Sequence, residues 1–182
     1  MIVEQQLKNI IEAALMAADE PLSIEQLTKL FEESEQPGNK DIRAALHILA
    51  EDCQHRGIEI QEVASGFRFQ VRQEYGAWVS KLWEEKPPRY SRAMLETLAL
   101  IAYRQPVTRA EIEEVRGVAV SSQIMKTLVD REWIKLVGYK DIPGKPALYG
   151  TTKQFLDYFN LKNLEDLPAL MDLQEELPVD AV

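Results

Sequence analysis

Cysteine is nearly absent: Cys53 stands alone in 182 residues. No internal disulfide can form, so the fold must be held by burial, and a reducing cytoplasm fits. No apolar run is long enough to cross a bilayer. The opening MIVEQQLKNI lacks the basic-then-apolar order of a secretion signal. Histidines number only 2, glycines 8 and prolines 9, and 46% of residues are hydrophobic. That composition describes an ordinary soluble globular chain. Basic side chains are outnumbered, 21 against 30, for a net charge of −9.

The deficit is uneven. Residues 1–85 carry 8 basic and 16 acidic side chains, a net −8. Residues 86–162 carry 13 and 8, a net +5, and residues 163–182 carry none and 6. General attraction to nucleic acid is therefore poor for the whole chain. Only the middle segment keeps a DNA-binding reading open.

What the chain does have is a repeat. Residues 10–30 read IIEAALMAADEPLSIEQLTKL and residues 95–115 read LETLALIAYRQPVTRAEIEEV. Shifted by 85, Pro21 falls on Pro106, Ser23 on Thr108, Gln26 on Glu111, Leu27 on Ile112 and Leu30 on Val115. These are structural positions: an apolar helix face, a proline turn, a hydroxyl cap and a second apolar face. A duplicated small module with no catalytic cluster points to a binding or scaffold protein.

In the first copy, Leu7, Ile10, Ile11, Ala14 and Ala18 recur at helical spacing. Pro21 ends that helix. Ser23 and Gln26 form a capping box for a second helix with Leu27, Leu30 and Phe31 on its buried side. Asp41 is expected to cap a third helix carrying Ile42, Ala45, Leu46 and Leu49, closed by Gly57. IEIQEV and FRFQV, joined by a glycine-containing turn, predict a β-hairpin. Tyr75, Trp78, Val79 and Leu82 then predict a short closing helix.

The second copy repeats the order. A helix over 91–103 stops at Pro106, and Thr108 with Glu111 caps the next, which ends at Gly117. Ser121 or Ser122 opens a third helix with Ile124, Met125, Leu128 and Val129. WIKLVGY and ALYGTT make a hairpin about the turn 142–146, and Phe155, Tyr158 and Phe159 lie on a closing helix. Three helices and a two-stranded hairpin make the winged-helix plan. The expected fold is mainly α with small β-hairpins (α+β), as two tandem winged-helix domains. Their limits are 1–85 and 91–162, with a linker at 86–90 and an acidic, mobile tail at 163–182.

Candidate chemistry resolves into surface features. His47, Glu51 and His55 share a helix face near Cys53, but zinc would need a further ligand and held geometry. Gly144-Lys145 lacks the spacing, the hydroxyl residue and the helix of a phosphate loop. Glu111 is explained as a cap partner, with Glu113 and Glu114 on a solvated face. No catalytic residue, metal or cofactor is expected. The third helices, where a DNA reader concentrates Lys and Arg, offset Lys126 and Arg131 with Asp130 and Glu132. In the first module Arg43 and Arg56 stand against Asp41, Glu51 and Asp52. A sequence-specific DNA-binding winged-helix transcriptional regulator is thus the alternative reading, helped by Arg89, Arg92, Lys140 and Lys145.

The aromatics Trp78, Trp83, Tyr103, Trp133, Tyr139, Tyr149, Phe155, Tyr158 and Phe159 exceed what two small cores can hold. Some should form interfaces. The helix 94–103 is apolar on more than one face and needs covering. Tyr103, Arg109, Tyr149, Phe155, Tyr158 and Phe159 are the expected partner-facing set.

The stretches SRAMLETLALIAYRQPVTRAEIEEVRGV (91–118) and PGKPALYGTTKQFLDYFNLKNLEDLP (143–168) resemble segregation and condensation protein B. This is the bacterial tandem winged-helix subunit of the condensin-like complex. Where the family has a polar Asn/Asp/Gly turn, this chain has Ala119-Val120-Ser121-Ser122-Gln123. The resemblance implies no enzymatic activity. It implies a homodimer formed largely through the first module, and a grip on the kleisin subunit and through it the SMC ATPase. The implied role is chromosome condensation and segregation at cell division, in the cytoplasm at the nucleoid, with weak or no direct DNA binding and no membrane association.

Overall fold

The computed structural model describes residues 3–83 and 90–169. About half of the chain is helical, with small antiparallel sheets, so the mixed α+β class expected from sequence holds. Helices α1 (Glu4–Ala17), α2 (Ile24–Thr28) and α3 (Asn39–Asp52) precede strands β1 (Ile58–Val63) and β2 (Gly66–Val71). A one-turn helix α4 (Gly76–Val79) follows, flanked by 3-10 turns. The second set comprises α5 (Arg92–Arg104), β3 (Val107–Thr108), α6 (Arg109–Arg116), α7 (Ser122–Asp130), β4 (Ile134–Tyr139), β5 (Ala147–Thr151) and α8 (Lys153–Tyr158).

Two separate hydrophobic cores underlie these elements. Leu7, Ile11 and Leu15 of α1 pack with Leu27, Phe31, Ile42, Ala45, Leu46 and Leu49. Leu98, Ile101 and Ala102 of α5 pack with Val107, Ile112, Val120, Leu128, Trp133, Ile134 and Phe155. Spacings of three and four put each set on one helix face, so a single apolar stripe per helix suffices.

The repeat is visible in hydrogen bonds. The Ser23 hydroxyl accepts from the Gln26 amide at 3.2 Å, and the Ser23 amide donates to the Gln26 side chain at 2.8 Å. Thr108 and Glu111 repeat this at 3.3 and 2.8 Å. Each reciprocal pair satisfies two orphan donors at a helix start. After each proline the chain also touches its own hairpin. Leu22 bridges Phe67, and Val107 pairs with Tyr149 to add a third strand, in the order β3-β5-β4. Two residues are too few to show a strand period, so sequence patterning missed β3.

Several local expectations are corrected. The cap of α3 is Gly38, and Asp41 sits three residues in, its carboxylate accepting the Gly38 amide at 3.0 Å. That helix stops at Asp52 rather than at Gly57. Leu30 and Val115 are exposed in both copies, because α2 and α6 are short and each buries one residue, Leu27 or Ile112. Tyr75, Trp78 and Leu82 do not close a core: none of the residues in the turns from Gln73 to Leu82 is buried. One helical turn cannot hold itself in water without a surface to pack on.

Residues 163–169, read from sequence as the start of a mobile tail, are held in place. Leu164–Asp166 forms a 3-10 turn, Leu161 and Leu167 pack on the second core, and Tyr103 donates to the Pro168 carbonyl at 2.6 Å. The rest of the expected tail and residues 86–89 of the expected linker lie outside the described residues.

Candidate partner-binding surfaces

Among the described residues no three His, Cys, Asp or Glu side chains converge as a metal site, and no helix is long and apolar enough to cross a membrane. Cys53 is buried, and His47 stands beside Glu51 at 3.7 Å on an exposed face. The acidic group on α6 is tied into structure. Glu111 receives Lys140 at 2.6 Å as well as the Thr108 amide and hydroxyl, and these bonds hold its carboxyl down at about 2. Glu113, expected on a solvated face, accepts the Val120 amide at 2.9 Å and pairs with Arg109, and both contacts lower its pKa, the amide most. A carboxylate fixed by donors is a poor proton acceptor at neutral pH.

The first surface is aromatic. Trp133, buried, is the hub, with ring centroids of Tyr158, Tyr90 and Phe159 at 4.6, 5.2 and 5.4 Å. Phe159 also lies 5.0 Å from both Phe155 and Tyr158. The Arg131 guanidinium sits 4.9 Å over Tyr90 and donates to its hydroxyl at 3.0 Å. Tyr90 and Tyr158 share a hydroxyl–hydroxyl bond of 3.0 Å, and that bond, with partial burial, raises the Tyr158 pKa. Tilted and edge-on pairs of this kind stiffen a patch beyond the area they bury. Tyr158 and Phe159 present 48% and 38% of their surface to solvent from this stiffened base.

The six expected partner-facing residues therefore divide. Phe155, Tyr158 and Phe159 come together, but Phe155 is 4% exposed and belongs to the core: at position three of α8 it points inward while Tyr158 and Phe159 ride above it. Tyr149 is half-buried on β5 between Val107 and Leu136. Tyr103 is half-buried on α5 with its hydroxyl on Pro168. Arg109 is spent on the loop after α6, bonding Glu113 at 2.9 Å, Ser122 at 3.2 Å and the Val120 carbonyl. Those bonds keep α7 starting at Ser122 with Ser121 as its cap.

Sequence reasoning did not single out the second surface. In the first module, Trp78, Leu82 and Trp83 are 66%, 77% and 63% exposed, next to exposed Tyr75. Their stretch, GAWVSKLW, carries one charge in a module that is otherwise densely acidic. The signal was present as two tryptophans and a leucine on a segment too short to bury them.

The family profile for "Segregation and condensation complex subunit ScpB" matches residues 9–170. The chain belongs to the ScpB family. It is 59% identical over 174 residues to the "Segregation and condensation protein B homolog" of Coxiella burnetii, covering 96% of this chain and 83% of that one. It is 42% identical over 175 residues to "Segregation and condensation protein B" of Syntrophotalea carbinolica, covering 93% and 85%. A solved dimer of ScpB N-terminal domain complexed with ScpA peptide is 26% identical, covers 44% of this chain and 94% of its own, and has a TM-score of 0.38. This member of the family is a subunit of the segregation and condensation type.

Proposed function

We propose that the chain is a non-enzymatic scaffold of a condensin-like complex. Two copies pair through the first module, 1–85. The second module, 91–162, grips an apolar or amphipathic segment of the kleisin subunit and so connects to the SMC ATPase. The role is chromosome condensation and segregation at the nucleoid. Family membership supports the complex. The observation that carries the assembly role is that large aromatics stand exposed on each module: Trp78 and Trp83 on a stretch with one charge, and Tyr158 and Phe159 on the Trp133 base. Large apolar side chains left in water on a folded surface mark a place another chain covers.

On the second module the exposed aromatics among the described residues are Tyr139, Tyr158 and Phe159, of which Tyr158 and Phe159 adjoin on the Trp133 base, with the Tyr103 and Tyr149 rings half-buried. Co-purification with the kleisin at moderate salt tests the reading. Tyr158→Ala with Phe159→Ala should lower kleisin recovery at least tenfold with the fold intact. Undiminished recovery refutes the assignment of that patch.

The competing reading, a DNA-binding regulator, loses ground on geometry. Arg131 is stacked on Tyr90 and Trp133, and Lys140 is paired with Glu111. Those cations are committed within the chain, which weakens the phosphate contacts that DNA affinity rests on.

A further inference from the structure

The turn between β1 and β2 does not end in solvent. Ser65 lies in it, and its amide and hydroxyl donate to the two carboxylate oxygens of Asp157 on α8 at 2.9 and 2.6 Å. Asp157 is 7% exposed. A carboxylate removed from water needs donors, and the donors its oxygens have among the described residues both come from the other module.

More polar contacts surround this pair. The Ala64 amide donates to the Leu161 carbonyl at 2.9 Å. Arg68 reaches the Asp157 carbonyl at 2.9 Å and the Asn160 side-chain oxygen at 2.6 Å. Asn160 adopts a left-handed φ of 58°, just past the end of α8. At the rim, Lys162 pairs with Glu62 at 2.8 Å.

We infer that this seam is a latch: Asp157 holds the tip of the first hairpin on α8 and fixes the orientation of the two modules. Modules joined by a linker alone would tumble independently. Here a buried acid with no side-chain partner of its own inside α8 is answered by a hairpin tip far away in sequence. The closure is also favoured at longer range, because the first module is net −8 and the second net +5. Because the contacts are polar, opening would hydrate them rather than expose a core, so the latch is reversible. Closed, it sets the spacing between the tryptophan surface of one module and the aromatic patch of the other.

The test is the distance between spin labels at Lys40→Cys and Lys145→Cys, both exposed positions. It uses the full chain in a Cys53→Ser background, diluted with unlabelled chain so that only intrachain pairs report. The unmodified seam should give one narrow distance. Asp157→Ala and Arg68→Ala should each broaden it, with circular dichroism unchanged. Arg68 lies on the strand surface away from either core, so its variant reports even where Asp157→Ala fails to fold. A broad distribution with the seam intact overturns the latch, as does a distribution that stays narrow in Arg68→Ala. Neither result depends on kleisin binding.

Discussion

If two copies pair through the first module as proposed, with Trp78 and Trp83 in the contact, truncating either to alanine should weaken that pairing while leaving the monomer folded. Neither residue belongs to a hydrophobic core, with 66% and 63% of their surfaces in solvent. A tryptophan offers on the order of 200 Å². Covering the exposed two-thirds removes roughly 130 Å² from water, about 3 kcal/mol at ~25 cal/mol per Å². Ordering costs on association reduce this to about 2 kcal/mol per site. A symmetric dimer contains each site twice, so one substitution should cost about 4 kcal/mol, a Kd roughly a thousandfold weaker. Sedimentation equilibrium over a concentration series measures it. Fluorescence gives a second readout: Trp133 is buried either way, so the emission that reddens on dilution belongs to Trp78 and Trp83. Either variant dimerising within about threefold of the parent, with the same circular dichroism, would refute the reasoning.

Two further outcomes are expected. Glu111 is held at about 2 in the folded chain, below its ordinary value of 4.5. Its contribution is therefore present above pH 4.5 and is lost as pH falls towards about 2. The side chain is 37% exposed, so solvent screening limits the effect to about 1 kcal/mol. Glu111→Gln should flatten the acid limb of urea-melt stability over that window, and an unchanged slope would count against the Lys140 and Thr108 bonds. Gly66 has a φ of +145°, and a Cβ there would lie 2.2 Å from the Leu22 carbonyl oxygen. Gly66→Ala should destabilise the first module by on the order of 2 kcal/mol or more in thermal melts; a neutral result would mean that the Leu22–Phe67 bridge is dispensable.

Much of the architecture was legible because it is local. Caps at Ser23, Thr108 and Ser121, the stop at Gly117 and the apolar stripes of α1, α3 and α5 are properties of a few neighbouring residues. The candidate aromatic patch was only partly legible. Phe155 and Phe159 are the same residue type four apart, and only packing against Trp133 makes one a core residue and the other half of a patch. Arg109 was expected to face a partner, and its side chain instead ties the α6–α7 loop.

The sequence by itself determined that the chain is two copies of one small helical module with a hairpin, because periodicity, capping and turn chemistry act within a few residues. It also determined that charge is split between the copies. Tertiary structure decided which aromatics remain in water, that Val107 and Thr108 add a strand to the second sheet, and that Ser65 meets Asp157 across 92 positions. Those outcomes depend on which surfaces come together after the helices have formed, and no local pattern encodes that meeting.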